Sequence, residues 1–277
     1  MDEIEKAFQE TTSILFGKKL YNLEDYRTWL LESVGKALYT KSQISNNTVY
    51  VPDIIFYSSI KKNMVTLDES VELGKRQLSE EDTKILTLAN ASEKLKDIKF
   101  VTSDVMLGQN QDLKKTSTYM NAQHCFDGVW YINSKCDAYC FWPRESEYCF
   151  GSHFIFASNF SIKCYNSVKL ARCFELSDCS TCTDCYFCHN CENLNNCMFC
   201  FNVKSLRYAI GNIEVGRETY LKIKEKIIGE IANKIETEKK LEMNIYNIGC
   251  TFYHYGYFVF PVLTISIFLF LGRYILN

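Results

Sequence analysis

The stretch that decides the fold is Cys173-Phe-Glu-Leu-Ser-Asp-Cys179-Ser-Thr-Cys182-Thr-Asp-Cys185-Tyr-Phe-Cys188-His-Asn-Cys191-Glu-Asn-Leu-Asn-Asn-Cys197-Met-Phe-Cys200. It closes a segment, residues 125–200, that holds thirteen of the fourteen cysteines of the chain. Rows begun at Cys125, Cys149, Cys173 and Cys197 keep a spacing of 24 residues, with Phe126, Phe150, Phe174 and Met198 directly after. A second column, fifteen residues into each row, is Cys140, Cys164 and Cys188, closed by Asn212. Other columns keep side-chain type: Tyr131, Ile155, Cys179 and Val203; Ser134, Ser158, Cys182 and Leu206; Ala138, Ile162, Tyr186 and Ile210.

A fixed period with stacked small and apolar columns is the pattern of a solenoid, whose coils bury one another's apolar side. Gly128, Gly151, Pro143 and many Asn and Ser residues interrupt every row, which excludes paired helices as the repeat unit. The expectation is about three and a half coils of a β-solenoid, 24 residues each, with these columns pointing inward. Asn190, Asn193, Asn195 and Asn196 suit its corners, because Asn tolerates left-handed backbone. The six-residue aliphatic period of a left-handed acyltransferase helix and the threonine array of an insect antifreeze solenoid are both absent.

The run Cys179-x-x-Cys182-x-x-Cys185-x-x-Cys188 also has the spacing of a tetrahedral zinc site, with Cys179, Cys182, Cys185 and Cys188 as ligands and His189 as a substitute. The column register favours a ladder of small buried thiols. Cys179, Cys182, Cys185 and Cys191 fall where other rows put Ile155, Ser158, Ser161 and Ser167, and free Cys behaves as a small hydrophobe. No cofactor is expected on that reading, and zinc is the alternative. His189 shares its column with Phe141 and Tyr165, which suits a partly buried packing role, and His124 and His153 show no paired acid at a readable spacing.

The run of Cys-x-x-Cys units with Asn-rich corners, Cys197-Met-Phe-Cys200-Phe-Asn, Leu206-Arg-Tyr-Ala-Ile-Gly-Asn212 and Glu218 shortly before Tyr220 resembles an uncharacterised cysteine-rich family of bacterial and archaeal genomes. In that family coils end in Tyr-Cys-Ile-x-Asn and a Glu-Glu-Tyr helix start. The resemblance covers about residues 120–225, departs at Ala209 where the family has Cys, and implies a solenoid with no established activity.

Around this core the chain reads as α+β. Residues 1–100 form a mainly helical domain: a helix from Glu3 to Lys19 with Ile4, Ala7, Phe8, Ile14 and Leu15 on its apolar side, and a second after Asn22 carrying Tyr26, Trp29, Leu30, Val34 and Leu38. Thr48 to Tyr57 is extended and broken at Pro52, and Ser79 starts a third helix reaching about Leu95. Residues 101–215 hold the solenoid, with 101–124 a degenerate first coil as an alternative. Residues 216–245 form an amphipathic helix that covers the open end of the last coil. The uncharged run within 250–273, with Tyr253, Tyr255 and Tyr257 beside it, has the length and aromatic flank of a transmembrane helix.

The N-terminus MDEIEKAFQE is no secretory signal, so the thiols point to a reducing compartment. Lys239 and Lys240 against Arg273 place the body on the cytosolic side of a membrane. A formal net charge of -2 offers no attraction to nucleic acid. The functional expectation is a non-enzymatic, membrane-tethered scaffold with a face for a protein partner or self-assembly. The alternative is a zinc-binding regulatory or redox protein using Cys179 to Cys200. A third reading, Cys or His catalysis in a groove, needs His124, His153 or His189 outside the coil beside an acid.

Overall fold

The computed structural model describes residues 2–105 and 107–249. They fall into a compact unit ending at Tyr246 and the first residues of a second unit, Asn247–Asn277. The expected transmembrane segment, 250–273, lies outside the described residues. No helix among the described residues is long and apolar enough to cross a membrane.

The core of the first unit is a β-solenoid of about eight turns. Its coil is 12 residues long, half the length expected from the sequence. Lys114 pairs in parallel with Phe126, Phe126 with Ala138, Ala138 with Phe150, and Ile162 with Phe174. Similar residues recur on alternate coils, so the columns Phe126–Met198 and Ala138–Ile210 are a single column. This column does not point inward. It forms an outer face, buried because helices lie on it.

Each coil turns four corners, and a left-handed residue stands at every third position from Asp112 to Tyr208, with glycine taking the role at Gly151 and Gly211. Asn and Asp fill many of these corners, Asn190, Asn193 and Asn196 among them, because their side chains lower the cost of that conformation. Asn195 instead lies in a strand, Asn195–Met198. The register already holds at Gln111, which pairs with Gln123. The first coil therefore begins near residue 110, inside the segment weighed as degenerate.

Helix α1, Asp2–Phe16, lies on the outer apolar column. Phe8 meets Phe150 edge-on at 5.2 Å, Phe16 meets Phe174 at 5.0 Å, and the Tyr186 hydroxyl donates to Leu15 O. Ile14, expected on the apolar side, is exposed. The second expected helix is shorter than read: a 3-10 turn over Leu23–Tyr26 runs into α2, Arg27–Leu30. Leu38 belongs instead to strand β1, Ala37–Lys41, which pairs antiparallel with β2, Thr48–Pro52. Four short helices follow: α3 (Ile55–Ile60), α4 (Leu67–Leu73), α5 (Glu80–Lys84) and α6 (Ala91–Lys94). The last two replace the single helix expected from Ser79; Asn90, whose side chain bonds Thr87 N and Ile85 O, closes the turn between them.

The long helix α7, Arg217–Glu238, lies along the side of the solenoid and not across its end. Tyr220 packs on Tyr208 near its start, Lys224 sits over the Tyr186 ring, and Glu236 pairs with Lys18 near its finish. The end of the coil stack is closed by smaller devices. Ile213–Glu214 folds back antiparallel on Arg207–Ile210. The Asn212 side chain imitates a peptide of the missing coil: its Oδ1 accepts Phe201 N–H at 2.8 Å and its Nδ2 donates to Phe201 O at 2.9 Å. Blocking the edge groups in this way guards a strand stack against pairing with other chains.

Candidate functional site

Every third residue from Leu113 to Ala209 turns into the lumen. One column runs Cys125, Asp137, Cys149, Ser161, Cys173, Cys185 and Cys197, and Cys179, Cys182, Cys185 and Cys188 occupy the four walls of one coil. Cys136 is the exception, at a left-handed corner outside the lumen register.

The lumenal thiols and hydroxyls are tied to the main chain by a repeated pattern. Each thiol points at the carbonyl two residues before it, and most also reach the carbonyl nine residues after it, in the next coil. Cys140 Sγ lies 3.3 Å from Ala138 O and 3.4 Å from Cys149 O; Cys179 Sγ lies 3.2 Å from Ser177 O and 3.4 Å from Cys188 O. Ser134 and Ser146 repeat the arrangement. The N–H of the residue twelve positions on points back at the same group: Ser158 N donates to Ser146 Oγ, Leu170 N to Ser158 Oγ and Cys179 N to Ser167 Oγ. Main-chain N–H groups of Leu194 and Val203 meet Cys182 and Cys191 in the same way. A tight square coil leaves such N–H groups facing inward. An aliphatic side chain of the same size would leave them unpaired, at a cost of about 1–3 kcal/mol each. Cysteine and serine fill the space and satisfy the backbone.

Burial drives the thiols of Cys125, Cys140, Cys149, Cys164, Cys185 and Cys188 well above their ordinary pKa. Cys182 and Cys200 are shifted downward, because S–H groups of Cys179 and Cys188 respectively lead the donors that converge on them. Among the described residues no group of three or more His, Cys, Asp and Glu side chains is arranged to hold a metal ion. The four sulfurs of Cys179, Cys182, Cys185 and Cys188 face carbonyl oxygens of their own walls.

The histidines stand apart from the lumenal thiols. His124 Nδ1 is 3.3 Å from Asp112 Oδ2 and His189 Nδ1 is 3.6 Å from Asp178 Oδ2, both on the outer surface. His153 is stacked on Phe141, and its Nδ1 accepts Gly35 N–H. The acid partners that the sequence does not reveal thus exist for two of the three, while the wall of the coil separates each ring from the inward sulfurs.

Buried ionisable residues at two places escape sequence reading. Asp137 is fully buried among the thiols, with Oδ1 accepting Cys149 N–H at 2.8 Å and Oδ2 unpartnered. Burial pushes its pKa well up, which favours the neutral acid. Outside the lumen, Lys163 and Glu175 stand one coil apart in a corner column, both fully buried. The Lys163 ammonium donates to Trp29 O at 2.9 Å and to Glu32 Oε2 at 3.3 Å, and lies 3.9 Å from Glu175 Oε1. Glu175 Oε2 accepts Ile245 N–H at 2.9 Å, while Oε1 has no hydrogen-bond partner. Set in 12-residue register, this corner column runs Lys115, Asp127, Tyr139, Gly151, Lys163, Glu175, Phe187 and Phe199, so a Lys and a Glu between Tyr139 and Gly151 on one side and Phe187 and Phe199 on the other would have marked the place.

No protein-family model matches the chain, and no curated protein matches it either.

Proposed function

We propose that this chain is a non-enzymatic, membrane-tethered β-solenoid scaffold that presents a protein-binding face, its body on the cytosolic side of the membrane. The observation that carries the reading is the outer surface left free by the helices. There Asn166, Asp178, Asn190 and Asn202 stand in one corner column, and Lys169, Thr181, Asn193 and Ser205 in the next. Neighbours along these columns bond each other: Asn190 Nδ2 to Asn202 Oδ1 at 2.9 Å, Asn193 Nδ2 to Ser205 Oγ at 3.1 Å, and Lys204 to Glu192 at 2.6 Å between the columns. Coils about 4.8 Å apart set these side chains in fixed rows. A partner binding there meets groups already ordered, which lowers the entropic cost of association.

The membrane part rests on the uncharged run within 250–273 and its aromatic flank. Two experiments test the reading. Cross-linking followed by pull-down of the full chain should recover a protein partner, or a second copy, and Asn193→Arg with Asn190→Arg should abolish recovery. Flotation with liposomes should carry the full chain and leave a chain ending at residue 249 behind. A chain that stays monomeric and unpartnered while turning over a substrate sinks the scaffold reading.

A further inference from the structure

We propose that residues 241–246 form a latch, seated on the buried Lys163–Glu175 pair, that undocks from the solenoid when Glu175 ionises. Helix α7 stops at Lys239, which takes a left-handed conformation at φ 59 and turns the chain back over the solenoid side. Residues 241–246 then dock on the solenoid side. Leu241 and Ile245 are buried. The Tyr246 ring lies 5.3 Å from that of Tyr165, and its hydroxyl is 3.3 Å from Ser177 Oγ. The main-chain tie is Ile245 N–H to Glu175 Oε2.

The groups facing Glu175 are Lys163 on its own column, Glu32 from the turn after α2, the phenols of Tyr165 and Tyr246, and the Cys164 thiol. Lys163 is the cation among them, and it is already committed to Trp29 O and Glu32. With a proton on Glu175 the seat holds one cation and one carboxylate. Ionisation adds a second carboxylate to a dry site that has an acceptor oxygen without a partner, and hydration through the strap relieves it. Burial, opposed by Lys163 and the Ile245 N–H, raises the Glu175 pKa to about 8. An exposed glutamate ionises near 4.3. The docked state therefore binds the extra proton between these values, and docking weakens as pH rises toward 8 and stays weak above it.

Hydrogen–deuterium exchange of the full chain in detergent at pH 6 and pH 9, corrected for intrinsic exchange rates, tests the latch. Protection of the peptide spanning 240–246 should fall about ten-fold or more at pH 9, with α7 and the solenoid unchanged, and Glu175→Gln should remove the fall. Equal protection at both pH values in the wild type, or an undiminished fall in Glu175→Gln, overturns the proposal. Ile245→Pro deletes the N–H without touching the solenoid, and should strip protection from the strap at both pH values; an unaltered strap there also overturns it. The measurement needs neither partner nor bilayer, so its failure is distinct from failure of the scaffold reading.

Discussion

The phenol oxygen of Tyr131 occupies the space in which a side chain on Gly128 would begin: a β-carbon there would stand 2.3 Å from it. The two are neighbouring lumenal positions of one coil, and the missing side chain admits the large ring. Tyr131 then donates to Phe126 O at 3.0 Å and accepts Cys140 N–H at 3.3 Å, as the small thiols and hydroxyls do elsewhere. Gly128→Ala should destabilise the fold by about 1–3 kcal/mol through overpacking, and Tyr131→Phe by about 1–3 kcal/mol through the unpaired Cys140 N–H. Urea unfolding reads both as a lower midpoint at constant slope. Combining Gly128→Ala with Tyr131→Ala should recover only part of the packing loss, because Cys140 O also lies 2.4 Å from the added carbon.

All thirteen described cysteines are free and buried, and burial holds most of their thiols neutral. In the native protein none of the thirteen should react with an aromatic disulfide reagent, and all should react once the chain is unfolded in denaturant. Protein prepared in reductant without a metal-binding tag should hold less than about half an equivalent of zinc. A full equivalent lost together with the fold on chelation would instead make Cys179, Cys182, Cys185 and Cys188 ligands. Within the ladder, Cys182→Val should cost about 1–3 kcal/mol for the Leu194 N–H it leaves unpaired, with Cys182→Ser costing less.

Much of the solenoid was legible because the inward positions answer to one physical demand. Cys179, Cys182, Cys185 and Cys188 announce a wall every three residues, and the substitution of Ile155 for Cys179 or Ser158 for Cys182 marks them as lumenal. The coil length was misread because Phe150 and Phe174 look alike while Ala138 and Ile162, in the same column, do not. That column answers to the helix above it: Phe150 is sized to Phe8, and Phe174 to Phe16. Side-chain identity on such a face follows contacts more than 100 residues away in sequence, which no local pattern carries. The seat of Lys163 was hidden for the same reason, since Trp29, Glu32 and Ile245 reach it from both ends of the chain.

Gly151 marks a close approach of the N-terminal region to the solenoid. Its φ is +62, and a β-carbon would stand 2.7 Å from Leu30 O at the end of α2. Gly151→Ala combines left-handed strain with a clash against backbone that cannot rotate away, a cost of about 1–3 kcal/mol. Its effect should be local as well as global. Limited proteolysis should show earlier cleavage between residues 27 and 36 than in the wild type, while the coils keep their circular dichroism.

Asp104 ties the segment before the first coil to that coil, its Oδ1 accepting Thr118 N–H at 2.8 Å while Thr118 Oγ1 donates to Ser103 O. Burial outweighs that hydrogen bond and raises the carboxyl pKa to about 6, above the 3.9 of an exposed aspartate. The folded state therefore binds a proton more tightly than the unfolded one between these values. This contribution to stability is full below about pH 4, falls as pH rises, and is gone above about pH 6. Asn keeps the oxygen that accepts Thr118 N–H and removes the titration. The difference in melting temperature between Asp104→Asn and wild type should thus grow in favour of the variant from pH 4 to pH 6.5 and hold constant to pH 7.5. A difference that does not change with pH would mean that Asp104 is solvated and titrates alike in both states.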